Sequence, residues 1–171
     1  VEIDPNYKLA YYNLGLVYTD LGETEKALLN YNQTIKLDSN YVNAYYKAGT
    51  IYYQLKDYES GIKIYNKYIQ FYPTDSYGYQ MRGLYHLYKG DFENAIIDVN
   101  KVIELTPNDP GGYYNLACFY SVTEDVLKSL ECLEKAFING YSDFDHLDVD
   151  PDLDKIRSQP EYAKLVQKYR K

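Results

Sequence analysis

The amino-acid sequence predicts an all-α fold, namely an α-solenoid of antiparallel helix pairs with a C-terminal helical cap. Three features support this prediction. Closely similar segments recur every 34 residues, apolar residues inside each segment follow helical spacing, and small residues recur at fixed places. A repeat length of about 20 to 50 residues is typical of stacked arrays in which neighbouring repeats share one core.

Four windows of twelve residues carry the repeat. They begin at Tyr11, Tyr45, Tyr79 and Tyr113 and read YYNLGLVYTDLG, YYKAGTIYYQLK, YQMRGLYHLYKG and YYNLACFYSVTE. Each repeat contains two helical stretches, which in the first repeat cover roughly residues 8–21 and 24–37. A polar turn such as LGET, LKDY or KGDF separates the two stretches.

Small residues recur at two places in every repeat. Four residues after each opening tyrosine stand Gly15, Gly49, Gly83 and Ala117. Twelve residues further on stand Ala27, Gly61, Ala95 and Ser129. Two antiparallel helices approach closely only where their side chains are small, so these positions are predicted to mark the helix crossings.

The aromatic residues are 24 Tyr and 5 Phe, with no Trp. We therefore expect tyrosine to pack the core where other proteins use Trp, Phe or Leu. Each buried hydroxyl then needs a hydrogen-bond partner or a route to water.

Composition and charge exclude several functional classes. A chain of 171 residues with 46% hydrophobic residues is expected to be globular. The net charge of −7 opposes binding to phosphate groups, so nucleic acid is not an expected partner. No membrane span is expected, because no apolar run approaches about 20 residues. No signal peptide is expected either, because no charged start is followed by an apolar stretch. The sequence leaves the compartment open, with the cytoplasm as the default expectation.

These features together resemble the tetratricopeptide repeat. The period of 34 residues, the aromatic residue that opens each window and the small residue after it match that family's pattern. The following tyrosines and the prolines that close helix pairs also match: Tyr18, Tyr52 and Tyr120, with Pro73 and Pro107. The resemblance implies a right-handed superhelix of helix pairs whose first helices line a concave groove.

The resemblance divides the chain into six parts. They are the tail of a preceding repeat (1–7), repeat 1 (8–41), repeat 2 (42–75), repeat 3 (76–109), a degenerate repeat 4 (110–140) and a capping segment (141–171). A cap is expected because the last helix pair of a solenoid has no neighbour to cover its outer apolar face. Pro151 and Pro160 are expected to open two short helices of the cap. Its docking face is predicted to comprise Leu153, Ile156, Tyr162, Leu165 and Val166.

Three acidic residues in the cap, Asp148, Asp150 and Asp152, alternate as the first ligands of a calcium loop do. Such a loop also needs Gly at its sixth position and Glu at its twelfth, where this chain has Leu153 and Gln159. We therefore interpret the acidic residues as helix-start residues that face the positive end of the helix dipole. No metal site is predicted.

The other candidate chemical groups also favour packing over catalysis. His86 stands where other repeats carry a tyrosine, so it is predicted to fill a packing position and not to bind a metal. The resemblance places Cys118 and Cys132 on different faces, so they are predicted to be buried thiols and not a disulfide. No His or Asp stands at a recognisable distance to activate Cys118 as a nucleophile. The sequence therefore predicts neither an enzyme nor a cofactor.

The resemblance places the partner-binding site in the concave groove, at fixed positions of the first helix of each repeat. The positions are Leu9, Tyr12, Asn13, Leu16 and Asp20; Asn43, Tyr46, Lys47, Thr50 and Gln54; Tyr77, Gln80, Met81 and Leu84; and Tyr114, Asn115 and Cys118. Tyrosine and amide side chains dominate this set, which suits an extended peptide held by its backbone and by aromatic contacts.

The expected function is therefore a non-enzymatic protein-interaction module, monomeric by itself, that binds a protein or peptide segment. Two alternatives remain at this point. The chain could be a structural spacer or a self-association segment that uses its N-terminal face. It could also be a regulatory domain attached to a catalytic part outside this sequence.

Overall fold

The structure is a computed structural model that describes residues 7–170, and every regular element within that range is a helix. The helices are α1 (Lys8–Asp20), α2 (Thr24–Leu37), α3 (Val42–Gln54), α4 (Tyr58–Phe71), α5 (Ser76–Lys89), α6 (Phe92–Leu105), α7 (Pro110–Val122), α8 (Val126–Ile138), α9 (Phe144–Val149), a 3-10 helix (Pro151–Leu153), α10 (Asp154–Arg157) and α11 (Pro160–Tyr169). The predicted all-helical fold is confirmed. The prediction that a preceding repeat ends within residues 1–7 falls on residues 1–6, which lie outside the described residues.

The chain forms two compact units, of which the first ends at Tyr85 and the second begins at His86. In the first unit α1 packs against α2, α2 against α3, and α3 against α4. In the second unit α6 packs against α7, and α7 packs against α8. The helices thus form the packed antiparallel pairs that the sequence predicts, and each unit has its own buried core.

The turn between the two helices of a pair has the same backbone conformation each time. One residue in each turn has a positive φ: Gly22 at 72°, Lys56 at 56°, Gly90 at 83° and Glu124 at 64°. These residues are spaced 34 apart along the chain. Glycine occupies this position twice because the left-handed region carries no steric cost for it. The 34-residue repeat of the sequence is therefore also a repeat of the backbone conformation.

An aspartate caps the second helix in three of the four pairs. Asp57, Asp91 and Asp125 each accept a hydrogen bond from the backbone N–H three residues later. This bond satisfies an N–H group that has no partner within the helix. The first pair carries Glu23 at the same place, and its side chain forms no such cap.

Glycines face buried tyrosine rings where the helices of the first unit cross. A Cβ atom added to Gly15 would lie 2.5 Å from the nearest ring atom of Tyr31, and one on Gly61 would lie 2.0 Å from the ring of Tyr85. Real Cβ atoms do not approach other atoms so closely. Gly15 and Gly61 therefore lie where two helices pack closely, and the neighbour of each is a tyrosine ring and not a second small residue.

Most buried tyrosines in the first unit also place their hydroxyl groups against polar atoms. The Tyr31 hydroxyl lies 3.0 Å from the Thr19 hydroxyl, and the Tyr85 hydroxyl donates to the Gly49 carbonyl at 2.5 Å. Tyr45 is the exception, because its buried hydroxyl has no hydrogen-bond partner among the described residues. A ring can thus fill the core while its hydroxyl bonds to the backbone of a neighbouring helix.

The C-terminal segment packs onto the last helix pair of the second unit. Phe137 of α8 stacks against Phe144 and Tyr169, with ring centroids 5.5 and 5.1 Å apart. Pro151 begins the 3-10 helix, and Pro160 begins α11. The residues predicted to dock all contribute to this core, with Leu165 only partly buried: Leu153, Ile156, Tyr162, Leu165 and Val166.

Replacing Gly61 by Ala is predicted to destabilise the protein. Alanine in the middle of a helix normally gains up to about 1 kcal/mol over glycine. Here the added methyl group collides with the Tyr85 ring, and such overpacking costs about 1–3 kcal/mol. Urea unfolding followed by circular dichroism measures the loss. Gly111→Ala is the matched control, because its Cβ would lie 3.4 Å from the nearest atom. Equal stability of the two variants would contradict the proposed close packing at Gly61.

Candidate functional site

The candidate binding face of α3 lies opposite its buried face. Asn43, Tyr46 and Thr50 are exposed. At about 100° per residue they lie roughly 100–160° around the helix axis from buried Tyr45. Lys47, at the edge of this face, is half-buried. Helix α3 thus carries buried core residues on one side and solvent-exposed residues on the other.

The corresponding residues of α1 and α5 show a similar division between exposed and half-buried side chains. The exposed members are Leu9, Asn13, Asp20 and Gln80, together with Gln54 of α3. The half-buried members are Tyr12, Leu16, Tyr77, Met81 and Leu84. In the first unit, every side chain in the sequence-predicted set therefore has some contact with solvent.

Three amide side chains on this face are free to bind a ligand. Asn13, Asn43 and Gln80 are exposed, and none forms a side-chain hydrogen bond with any residue in the range 7–170. An amide side chain offers both donors and an acceptor, as does the backbone of an extended peptide. This face can therefore bind a peptide backbone without first breaking an internal hydrogen bond.

The tyrosines of this face differ in their exposure. Tyr12 packs against the rings of Tyr31 and Tyr41, with centroids 5.8 and 4.9 Å apart. Burial raises the pKa of Tyr77, whose hydroxyl lies 3.4 Å from that of Tyr65. Tyr46 is 52% exposed and is the most open aromatic residue among the candidate positions. Its ring is the strongest candidate for contact with a partner.

The corresponding positions on α7 in the second unit are covered by the C-terminal segment. Tyr114 is 5% exposed, stacks on Tyr141 at a centroid distance of 4.3 Å, and donates a hydrogen bond to Asp150 at 2.5 Å. The Cys118 thiol lies 3.8 Å from the same carboxylate. These two side chains are therefore not open to a partner, whereas Asn115 is half-buried.

Asp150 has two structural roles, of which the sequence indicated the helix cap and not the contact with Tyr114. Its second carboxylate oxygen accepts a hydrogen bond from the backbone N–H of Asp152 at 2.9 Å, which caps the 3-10 helix. This agrees with the interpretation of Asp150 as a helix-start residue. The same interpretation is wrong for Asp148, which lies near the end of α9 and pairs with Arg170 at 2.6 Å. The contact between Asp150 and Tyr114 joins residues 36 apart, and no repeat pattern covers Asp150.

The two cysteines are buried free thiols, as predicted. Burial raises the pKa of Cys132 to about 11. Burial and the Asp150 carboxylate also raise the pKa of Cys118. Neither thiol is a reactive thiolate at neutral pH, because reactivity requires the deprotonated form. His86 packs within the second unit, where its Nδ1 lies 3.0 Å from a carboxylate oxygen of Asp91.

Among residues 7–170, no helix combines the length and the apolar character that crossing a bilayer requires. The same residues contain no cluster of three or more metal-ligating side chains.

Comparison with protein families gives four matches. Sequence models described as TPR repeat or tetratricopeptide repeat match residues 1–28, 15–56, 43–75 and 77–109. Among curated proteins, the chain is 38% identical over 56 residues to a chloroplastic protein of Arabidopsis thaliana. That alignment covers 33% of this chain and 17% of the length of the chloroplastic protein.

Solved structures with the same fold include MamA and YrrB. MamA of Desulfovibrio magneticus RS-1, solved from residue 41 to its end, has a TM-score of 0.67 at 21% identity, covering 78% of this chain and 76% of the solved MamA chain. YrrB is described as a TPR protein with an unusual peptide-binding site. It has a TM-score of 0.67 at 18% identity, covering 97% of this chain and 86% of YrrB. At identities of 21% and 18%, the similarity to these two proteins shows a shared fold only.

Removing residues 141–171 is predicted to expose Cys118, because Asp150 and Tyr141 would no longer cover this side of α7. In a Cys132→Ser background, a thiol reagent such as DTNB should react slowly with the full chain and quickly with the shortened chain. Circular dichroism would verify that the shortened chain keeps its helices. A protected Cys118 in a folded, shortened chain would show that the tail is not what covers this face.

Proposed function

The chain belongs to the tetratricopeptide-repeat family of protein-interaction modules, and we propose that it binds an extended peptide or protein segment on the face formed by α1, α3 and α5 of the first unit. The proposed role is non-enzymatic and requires no cofactor. The binding residues are proposed to be Leu9, Tyr12, Asn13, Leu16, Asn43, Tyr46, Lys47, Thr50, Tyr77, Gln80, Met81 and Leu84.

The combination of an exposed aromatic ring and unpaired amides carries this proposal. Tyr46 offers a flat apolar surface with a hydroxyl at its edge. Asn43 lies on the same helix face, and Asn13 and Gln80 offer further amide groups on α1 and α5. Amides can bind the peptide backbone whatever its side chains are, so the ring and its half-buried neighbours would provide the selectivity.

The burial of Tyr114 and Cys118 limits the proposed surface. Both belong to the set predicted from the sequence, but the tail covers them. We therefore restrict the proposed binding surface to the first unit, which leaves out Asn115 of the second unit as well. The peptide-binding site described for YrrB belongs to that protein. It supports peptide binding here only as a property of a similarly folded protein.

Self-association is a second candidate function, favoured by exposed apolar side chains on the first helix pair. Val17, Leu21 and Leu29 are between 52% and 70% exposed. A second copy of the chain could cover them. Sedimentation over a range of protein concentrations separates this candidate from peptide binding by a monomer. A concentration-dependent dimer that Leu29→Ala abolishes would favour self-association.

The double substitution Asn43→Ala with Tyr46→Ala is predicted to abolish most of the affinity for a bound peptide. The probe is a synthetic peptide selected from a random display library by the parent protein. If these residues form a binding hot spot, the loss should be about 2 kcal/mol or more in titration calorimetry. The melting temperature should change little, because exposed side chains contribute little to the core.

A matched control substitutes Ile97→Ala with Asn100→Ala, which changes one exposed apolar side chain and one exposed amide side chain of α6. This variant should bind the peptide like the parent. If the control weakened peptide binding as much as Asn43→Ala with Tyr46→Ala, the proposed site would be contradicted.

A further inference from the structure

A cleft of about 550 Å³ lies on the other side of α3, between α2 and α4. Buried Tyr45 and half-buried Tyr52 of α3 line it, seven residues apart and therefore on one helix face. This α2–α4 cleft is distinct from the proposed peptide-binding face, because Asn43 and Tyr46 lie on the opposite arc of the same helix.

Three lysines line the α2–α4 cleft, namely Lys36 of α2 and Lys63 and Lys67 of α4. None of the three forms an ion pair with any residue between 7 and 170. The lining includes no acidic side chain, although the whole chain carries a net charge of −7. The cleft is therefore a local site of unneutralised positive charge on an acidic protein.

The Tyr45 hydroxyl is an independent sign of a missing ligand. The side chain is completely buried and lines the cleft, yet its hydroxyl has no hydrogen-bond partner in the described part of the chain. A buried hydroxyl without a partner is rare, because leaving it unpaired is unfavourable. Burial, with Tyr72 and Asp38 nearby, raises the pKa of Tyr45 to about 12. The hydroxyl therefore keeps its proton and could donate it to an acceptor.

Asp38, which lies near Tyr45, carries a negative charge that opposes an anion. Its carboxylate pairs with Lys8, which also holds the pKa of Asp38 below its usual value. This ion pair offsets the charge of Asp38, whereas none of the three cleft lysines has such a partner among residues 7–170.

The spacing of side chains along α4 fits an extended chain. Lys63, Lys67 and Phe71 follow each other at intervals of four residues, a rise of about 6 Å along the helix. In an extended peptide, side chains on one face are about 6.7 Å apart, since alternate residues point the same way. Two acidic residues at alternate positions followed by a large apolar residue would therefore match these three residues in order.

We propose that the α2–α4 cleft binds an extended acidic peptide segment of a partner protein, with two carboxylates at alternate positions on Lys63 and Lys67 and an apolar side chain on Phe71. Lys36 contributes charge from the opposite wall, and the Tyr45 hydroxyl donates a hydrogen bond to a carboxylate or carbonyl oxygen. The inference does not depend on the function proposed for the other face of α3.

The direct test uses peptides with the sequences GESESLG and GLSESEG, which present the same residues in the two chain directions. Both are blocked at their ends and carry an uncharged fluorescent label, and binding is followed by anisotropy at low ionic strength. At least one of the two peptides should bind the parent protein, and added salt should weaken this binding. Replacing both Glu by Gln should abolish it. Failure of both acidic peptides to bind would overturn the proposal.

Three variants assign the binding to the cleft. Lys63→Gln with Lys67→Gln should weaken binding at least about tenfold. Lys135→Gln with Lys164→Gln is the control, because it removes the same charge from exposed lysines in the second unit and should change binding by less than about twofold. Tyr45→Phe should weaken binding several-fold without lowering stability, since it removes only a hydroxyl that is unpaired in the free protein.

Equal losses in the two lysine variants would show general charge attraction and would overturn the proposal. If only the variant Asn43→Ala with Tyr46→Ala lost binding, the acidic peptide would lie on the other face of α3 and the proposal would be overturned. Displacement of the peptide by inorganic phosphate at a concentration similar to that of a competing unlabelled peptide would indicate a site for small anions instead of a peptide.

Discussion

The close contact between glycine and a buried tyrosine ring at the helix crossings is the constraint on which the first unit depends. Gly15, Gly49 and Gly61 each leave space that a tyrosine side chain fills, with no room for a Cβ atom. This contact fixes which side of each helix is buried. The contact between Gly15 and Tyr31 recurs 34 residues later between Gly49 and Tyr65, so the opposite sides of α1 and α3 are open at equivalent positions. The proposed peptide-binding face follows from that repetition.

Tyrosine serves both packing and polar roles in this protein. The Tyr85 ring fills the space at Gly61, while its hydroxyl bonds to the carbonyl of Gly49. Tyr114 stacks on an aromatic residue of the tail and donates to the buried Asp150 carboxylate. A phenol can join an apolar core to a polar group in this way, whereas phenylalanine cannot. The unpaired hydroxyl of Tyr45 departs from this pattern, which is why it indicates a ligand.

The repeated part of the structure could be predicted from the sequence because each of its contacts recurs at a fixed spacing. The first two helices were expected at 8–21 and 24–37 and are observed as Lys8–Asp20 and Thr24–Leu37. The docking residues of the tail could also be predicted, since an exposed solenoid end needs an apolar cover. The path of the tail over α7 could not be predicted from the sequence, because the contact between Asp150 and Tyr114 has no counterpart in the other repeats. The α2–α4 cleft depends on side chains from three helices, and no linear motif joins them.

The side-chain amide resonances of Asn13, Asn43 and Gln80 offer the most direct test of the central claim, that the open face of α1, α3 and α5 binds a peptide. They are observed in a nitrogen–proton correlation spectrum during titration with a peptide selected by the parent protein. Our account predicts that these three resonances shift together and saturate, while the side-chain amide of Asn139, which follows α8, does not move. Saturable binding of the selected peptide with these three resonances unchanged would contradict the account.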